Sequence, residues 1–217
     1  MQSNSEENYL KTIYLIGKQG INKVSATALA SGLGNSPASV IDMLRKLTDK
    51  KLVQYDKKKG ARLTGEGIRA ALRTIRKHRL WEMFLQEKLG YGWDEVHEIA
   101  EQLEHVQDAE LADRLDAFLG FPKFDPHGEY IPRSNEKLPD IKNKTLLEIG
   151  IGKACNVVSV KDTSKSFLQY LQKLNIGIGA LIKVIEKIDY DGSLVILIGN
   201  STKVNVSEKF AGSVLVS

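Results

Sequence analysis

The chain has few cysteines, few prolines and no long apolar run, and each scarcity excludes a class of protein. Its single cysteine, Cys155, excludes a disulfide framework or a cysteine-based zinc module within one chain. No uninterrupted apolar stretch approaches the roughly 20 residues that a membrane helix needs. The first residues also lack the basic start and apolar run of a signal peptide. We therefore expect a soluble, cytoplasmic protein with no membrane partner.

Charge is distributed unevenly along the 217 residues, although the net charge is only +4. Residues 1–70 carry 12 basic and 6 acidic side chains, residues 71–140 carry 9 and 15, and residues 141–217 carry 10 and 6. A basic beginning followed by an acidic middle is typical of a polyanion-binding module attached to a cation-binding one.

Residues 1–64 have the pattern of a winged helix-turn-helix. Helices are predicted over residues 5–17 and over SATALASGL, and a third begins with Ser36 as N-cap and Pro37 at the first helical position. KLVQYDKKKGARLT then predicts a basic hairpin. Small helical units also serve as protein-interaction modules, but a basic wing beside a recognition helix favours double-stranded DNA.

The residues predicted to contact DNA fall into two groups. Phosphates are expected to meet the basic side chains of the wing, and base edges to meet the small residues at the start of the recognition helix. These residues are Lys57, Lys58, Lys59 and Arg62 in the wing, and Asn35, Ser36, Pro37, Ala38 and Ser39 in the helix.

Residues 65–120 are predicted to form a helical metal-binding and dimerisation domain. A long helical pattern runs from Gly65 to about Gly90, EVHEIAEQLEHV forms a second helix over residues 95–106, and a third helix ends at Gly120. Two symmetric DNA half-sites match a protein with two-fold symmetry. We therefore expect a homodimer that binds a palindromic operator.

Every histidine of the chain lies within four residues of a carboxylate. His97, Glu101, Glu104 and His105 have the spacing of one helix face, His78 precedes Glu82 by one turn, and His127 follows Asp125. An ordinary solvated polar face explains any one of these pairs. Their recurrence at all four histidines favours metal binding.

The end of the chain changes in character. Residues 121–143 hold four of the five prolines and are predicted to be a linker. Residues 144–217 contain short β-branched runs and one helix, which predicts an SH3-like β-barrel with Cys155 as a core residue. The predicted fold class is therefore mainly α with a small β domain.

The motifs SEENYLKTIY, KHRLWE, HEIAEQLEH and DPHGEYIP resemble, in order and spacing, the diphtheria-toxin-repressor family of metal-dependent transcriptional regulators. The C-terminal part is similar to the FeoA-like or SH3-like domain of the longer members. The resemblance covers nearly the whole chain. It implies a metal-dependent DNA-binding repressor, of metal-uptake genes, that becomes competent to bind its operator when Mn²⁺ or Fe²⁺ is bound.

The resemblance also implies two metal sites, and so up to two ions per subunit. The principal site falls on Asn8, Glu101, Glu104 and His105. The second site falls on His78, Glu82 and His97, completed by Asp125, His127 and Asp162.

Two positions bear on the choice of ion. Iron-type members have a cysteine where this chain has Glu101, whereas manganese-type members have a carboxylate there, which favours manganese. Asn8 stands where the family commonly has methionine or aspartate, so it offers a neutral amide oxygen. Carboxylate, amide and imidazole ligands without a thiolate suit Mn²⁺ or Fe²⁺.

Two other functions use some of the same features. A dinuclear metallohydrolase also collects carboxylates and histidines, but HEIAE lacks the second histidine of the HExxH pattern and no nucleophile motif is present. A metal-independent winged-helix regulator would use its C-terminal domain for protein contacts. We expect a regulator that is not an enzyme and has no organic substrate.

Overall fold

The computed structural model describes residues 2–18, 23–108, 110–133, 139, 141–199 and 201–217. These form two compact units, of which the first comprises Met1–His78, Gln102–Ala112 and Pro132–Lys137 and the second Arg79–Glu101, Asp113–Ile131 and Leu138–Ser217. The division differs from the four predicted segments, which stay a prediction. Residues 134–138 and 140 of the predicted linker lie outside the described residues. No described helix has the length and apolar character to cross a membrane.

The first unit contains the predicted winged helix-turn-helix. Its core is apolar and includes Leu10 of the first helix, Leu29 of the second and Leu44 of the third. The elements are α1 (Asn4–Lys18), α2 (Ala26–Leu33), α3 (Pro37–Asp49), β1 (Val53–Asp56), β2 (Gly60–Leu63) and the first part of α4 (Gly65–Leu89).

Local side-chain hydrogen bonds set the boundaries of the short helices. The Ser25 side chain accepts a hydrogen bond from Ala28 N at the start of α2, and Gly34 ends that helix in the left-handed conformation with φ 65°. Ser36 accepts from Ser39 N, and Pro37 occupies the first turn of α3. The predicted capping of α3 is therefore confirmed.

The wing is a two-stranded antiparallel hairpin. Val53 pairs with Leu63 and Asp56 with Gly60. The Asp56 carboxylate accepts hydrogen bonds from the backbone N–H groups of Lys58 and Lys59, which organises the turn between the strands. An isolated bridge from Val24 to Ala61 joins the hairpin to the segment before α2.

The second unit contains the end of α4, most of α5 (Val96–Leu103) and most of α6 (Leu111–Phe118). Helix α5 is shorter than the predicted helix over residues 95–106. Its backbone leaves the helical path after Leu103, where Val106 N bonds to Leu103 O, so Glu104 and His105 lie in a turn. The prediction that one helix face carries Glu104 and His105 is therefore wrong, because their polar contacts outweigh the local helical period.

The same unit ends in an antiparallel sheet with the strand order β3-β8-β4-β5-β6-β7. No described strand pairs β3 with β7, so the expected closed barrel is not found among the described residues. Cys155 is buried in the sheet core, as predicted. The elements are β3 (Lys144–Thr145), a 3-10 helix (Leu146–Glu148), β4 (Ala154–Val160), α7 (Lys165–Lys173), β5 (Leu181–Lys187), β6 (Leu194–Ile198), β7 (Thr202–Val206), α8 (Glu208–Ser213) and β8 (Val214–Val216).

Gly67→Ala tests the packing of α4 against the wing. A Cβ at Gly67 would overlap the carbonyl oxygen of Leu52 and lie 3.0 Å from its carbonyl carbon, which is backbone and cannot rotate away. We expect a loss of about 2–4 kcal/mol in the free energy of unfolding, measured by urea denaturation.

Gly65→Ala is the matched control for that substitution. Gly65 also lies in the first turn of α4, but the nearest atom to its added Cβ is the Arg69 side chain at 3.9 Å. The free energy of unfolding should change by no more than about 0.5 kcal/mol. Equal losses in the two variants would show that the close approach to Leu52 is not the cause.

Candidate metal centres and DNA-binding surface

The carboxylate of Glu104 lies at the centre of a polar cluster in the first unit. Glu104 is 0% exposed, and its Oε2 accepts a hydrogen bond of 2.6 Å from Lys11 Nζ. His78 Nδ1 lies 2.7 Å from the same oxygen. Lys11 is on α1, His78 is on α4 and Glu104 follows α5, so the cluster joins three separate segments of the chain.

His105 extends this cluster towards the beginning of α1. Its Nδ1 lies 2.6 Å from Glu7 Oε2, and its Nε2 lies 3.7 Å from Glu104 Oε1. Gln107 Nε2 donates a hydrogen bond of 3.1 Å to Glu7 Oε1, and Lys77 Nζ is 3.8 Å from that oxygen. Two buried carboxylates, Glu7 and Glu104, therefore flank one imidazole.

Two buried oxygen atoms of the first unit accept no hydrogen bond from the described residues: Asn8 Oδ1 and Glu104 Oε1. Buried polar atoms in native proteins usually have a partner, so an orphaned pair needs an explanation. A cation supplies one, because amide oxygen, carboxylate oxygen and imidazole nitrogen are ligands that Mn²⁺ and Fe²⁺ accept. The donor atoms of Asn8, Glu104 and His105 are thus of the types that suit a divalent ion, and their joint binding of one ion stays a prediction.

A second cluster lies entirely within the second unit. Glu82, Asp125 and His127 are buried, and each offers a ligand atom within 4.8 Å of the others. His127 Nε2 lies 2.8 Å from the Trp93 carbonyl oxygen and donates to it, while Nδ1 lies 3.6 Å from Glu82 Oε2. The backbone acceptor thus fixes the ring so that Nδ1 faces the carboxylate, as for a metal-binding histidine.

The electrostatics of the second cluster show an excess of negative charge. Burial, and then the neighbouring Glu82, raises the pKa of Asp125 to about 7. Burial lowers the pKa of His127, but the nearby Glu82 carboxylate, and then Asp125, outweigh burial and raise the pKa. Arg79 supplies the local positive charge, with Nε 3.2 Å from Asp125 Oδ2. A bound cation would relieve the repulsion between the carboxylates.

Among the residues predicted for the second site, Glu82, His97, Asp125 and His127 are brought together. His97 Nδ1 lies 3.1 Å from Glu82 Oε1, so Glu82 lies between two imidazoles. His78 Nδ1 lies 2.7 Å from Glu104 Oε2 in the first unit. The Asp162 carboxylate accepts a hydrogen bond from Ser164 N, at the start of α7, and is not part of either cluster described here.

Glu101, predicted for the principal site, belongs to the second unit. Its Oε1 lies 3.7 Å from His97 Nε2, one helical turn away on α5. The assignment of Glu101 to the principal site stays a prediction.

Sequence reasoning missed Glu7 and Lys11, although both flank Asn8 on α1. Glu7 and Lys11 are four residues apart and therefore lie on the same side of the helix. The signal was present in EENYLK, where helical spacing groups a carboxylate, an amide and an ammonium. It is weak, because such charged pairs are common on solvated helices.

The predicted DNA-contacting residues lie on the surface of the first unit. Asn35, Ser36, Pro37, Ala38 and Ser39 at the start of α3 are all exposed, as are Lys57, Lys58, Lys59 and Arg62 in the wing. Ser36 Oγ is committed to capping α3, and Asn35 Nδ2 donates a hydrogen bond of 3.2 Å to Tyr9 Oη. Ser39 Oγ also lies 2.9 Å from Ser36 Oγ. The exposure of these residues is compatible with contacts to bases and phosphates, and the contacts themselves stay a prediction.

Three family models match almost the whole chain. The model of the iron dependent repressor N-terminal DNA binding domain matches residues 1–61, and that of the iron dependent repressor metal binding and dimerisation domain matches residues 64–133. The FeoA domain model matches residues 144–217.

Individual relatives agree with these matches. The diphtheria toxin repressor of Corynebacterium jeikeium is 30% identical over 67% of this chain, and the aligned region spans 60% of that protein. The diphtheria toxin repressor of Corynebacterium glutamicum is 28% identical over 96% of this chain and 98% of its own length.

Solved structures extend the likeness to the whole fold. A manganese-dependent transcriptional repressor in complex with manganese is 33% identical, with a TM-score of 0.89 over 97% of this chain and 98% of the other. The manganese regulator SloR is 32% identical, with a TM-score of 0.81 over 100% and 99%. The chain therefore belongs to the iron-dependent repressor family of metal-responsive transcriptional regulators.

Proposed function

We propose that this protein is a cytoplasmic repressor of metal-uptake genes that binds a palindromic DNA operator as a homodimer when a divalent cation occupies its buried carboxylate clusters. The family is one of transcriptional regulators, and we propose no enzymatic activity. The observation that carries the proposal is the orphaned Asn8 oxygen on α1, in the same compact unit as Glu104 and His105. An ion held by these residues ties the first helix of the DNA-binding region to the segment after α5.

Contacts of α1 with the recognition helix give this ion a route to DNA binding. Glu6 is 0% exposed and accepts hydrogen bonds of 2.7 and 2.9 Å from Lys50 Nζ, which lies at the end of α3. Burial raises the pKa of Glu6, but the hydrogen bonds from Lys50 and Lys46 outweigh it and lower the pKa to about 2. Glu6 and Glu7 thus face α3 and His105 respectively, so an ion that fixes α1 also orients α3.

The proposed ion is Mn²⁺, with Fe²⁺ as the alternative. Both clusters offer oxygen and nitrogen ligands, and the only thiol, Cys155, is buried in the sheet core. A second ion in each subunit would be held by Glu82, Asp125 and His127, with His97 beside them. Glu101 and Asp162 are further ligands suggested by the family resemblance alone.

Exposed aromatic and aliphatic side chains support the proposed homodimer. Leu89, Phe118 and Phe121 in the second unit are 56%, 64% and 54% exposed. Large apolar side chains exposed at a protein surface are typical of an interface between subunits.

Glu104→Gln and His105→Ala test the principal site. Each removes a ligand, so operator affinity in saturating Mn²⁺ should fall by about a thousandfold, to the level of nonspecific DNA binding. The measurement is fluorescence anisotropy with operator and with unrelated DNA, with and without chelator.

Glu98→Gln is the control, since Glu98 is an exposed acidic residue of α5. It should respond to metal as the wild type does. A Glu104→Gln protein that also kept the wild-type response would contradict the assignment of the site.

Asn8→Asp tests the contribution of α1. An anionic oxygen at this position should lower the dissociation constant for Mn²⁺ by about tenfold, measured by isothermal titration calorimetry. Asn156→Asp, which adds the same charge at an exposed position of β4, should leave the constant unchanged. If both variants tightened Mn²⁺ equally, only the total charge would matter.

Lys58→Ala and Arg62→Ala test the wing. Because phosphate contacts do not read bases, affinity should fall alike for all sequences, and each lost contact should reduce the salt slope by about 0.9. Lys173→Ala, an exposed lysine of α7, is the control and should change neither quantity. A change in operator preference in the wing variants would mean that the wing reads bases.

A further inference from the structure

Lys11 is the single lysine that is buried among the described residues, with 8% of its surface exposed. A buried ammonium is costly unless it is paired, and its partner is the fully buried Glu104 carboxylate at 2.6 Å. His78 Nδ1 lies 3.4 Å from the same ammonium and 2.7 Å from the same carboxylate oxygen. Lys11 thus sits among the residues that we propose for the metal.

The position of Lys11 on α1 links it to the other proposed ligands. It follows Glu7 by four residues and Asn8 by three, so the three side chains project from one side of the helix. Its ammonium uses one oxygen of Glu104, Oε2, while the other, Oε1, is orphaned. In this geometry a positive charge of the protein itself already neutralises the carboxylate.

We propose that Lys11 is a tethered competitor of the metal: its ammonium is the resident cation of Glu104 in the metal-free protein and lowers the affinity of the principal site for Mn²⁺. The inference rests on the proposed function, since it requires Glu104 to bind the ion. It identifies Lys11 as a residue that sets the metal concentration at which the repressor responds, without being a ligand.

The physical reason is the repulsion between two cations at one carboxylate. A divalent ion bound to Glu104 Oε1 would lie close to the ammonium on Oε2, and the two positive charges would repel each other more strongly in the protein interior than in water. The ammonium must either move away from Glu104 or remain there and be repelled by the ion. In both cases displacing the Lys11 ammonium, or tolerating its repulsion, weakens the binding of the ion. The affinity of the site for Mn²⁺ is therefore lower than its ligands alone would give.

The test compares Mn²⁺ binding by the full-length wild type, Lys11→Met and Lys11→Gln, using isothermal titration calorimetry. Methionine keeps the unbranched apolar stem, and glutamine keeps a hydrogen-bond donor without the charge. We expect both variants to bind Mn²⁺ at the Glu104-dependent step at least about tenfold more tightly than the wild type, which corresponds to about 1.4 kcal/mol. Equal or weaker binding in the folded variants would overturn the inference.

A second readout is thermal stability with and without Mn²⁺. Without Mn²⁺, Lys11→Met leaves Glu104 without its ammonium, so its melting temperature should lie below that of the wild type. Saturating Mn²⁺ should raise the melting temperature of Lys11→Met by more than it raises that of the wild type. An equal rise in both proteins would contradict competition.

Two control variants separate charge at the site from other effects. Lys11→Arg keeps a cation beside Glu104 and should not tighten Mn²⁺ binding. Lys173→Met removes an exposed lysine of α7, outside both polar clusters, and should leave the Mn²⁺ affinity unchanged. Tightening in either control would refute a specific role for Lys11.

Glu104→Gln distinguishes failure of this inference from failure of the proposed function. If the wild type binds Mn²⁺ and Glu104→Gln loses one binding step, the proposed site stands, and the Lys11 variants alone decide the inference. If Glu104→Gln retains every binding step of the wild type, the proposed site is wrong, and the proposed role of Lys11 is wrong as well.

Discussion

Burying a carboxylate is unfavourable unless a cation lies beside it, and this requirement organises both polar clusters of the protein. In the first unit Lys11 neutralises Glu104, and Lys50 with Lys46 neutralises Glu6. In the second unit Arg79 neutralises Asp125. The chain also buries two oxygen atoms of the first unit, Asn8 Oδ1 and Glu104 Oε1, that have no hydrogen-bond partner among the described residues. These two oxygens are the chemical basis for proposing a bound divalent ion.

Helix α1 contacts both the recognition helix and the proposed principal metal site. Glu6 bonds to the end of α3, Tyr9 accepts a hydrogen bond from Asn35 before α3, and Glu7 bonds to His105 after α5. A ligand can shift an equilibrium only through its different affinity for the two states. An ion shared by Asn8 and Glu104 would favour the arrangement in which α1 lies beside the segment after α5, because its ligands come from both segments.

The sequence was most informative where local rules decide the structure. The capping of α2 by Ser25 and of α3 by Ser36, the basic hairpin and the buried Cys155 all followed from residue type and spacing. Short elements such as α8 escaped prediction because about six residues show too little of a helical period.

The sites were predicted only in part, because tertiary contacts decide them. The helical period placed Glu104 and His105 on a helix face, whereas their contacts with Lys11 and Glu7 draw them into a turn. Nothing local to His78 shows that it contacts Glu104, 26 residues further along the chain. Such a contact depends on how distant segments of the chain pack together. The spacing of apolar residues along the sequence carries no information about that packing.

The two resident cations differ in how readily a metal can replace their charge. Arg79 is a planar fork that bonds at once to Glu129 at 2.7 Å and to the Tyr130 carbonyl at 2.6 Å, besides its contact with Asp125. Moving it would break all of these contacts together. Lys11 carries a point charge on a flexible four-carbon stem, which can withdraw by rotating its own side chain. The first cluster therefore combines orphaned oxygens with a displaceable counter-charge, and on physical grounds it is the cluster better suited to respond to a change in metal concentration.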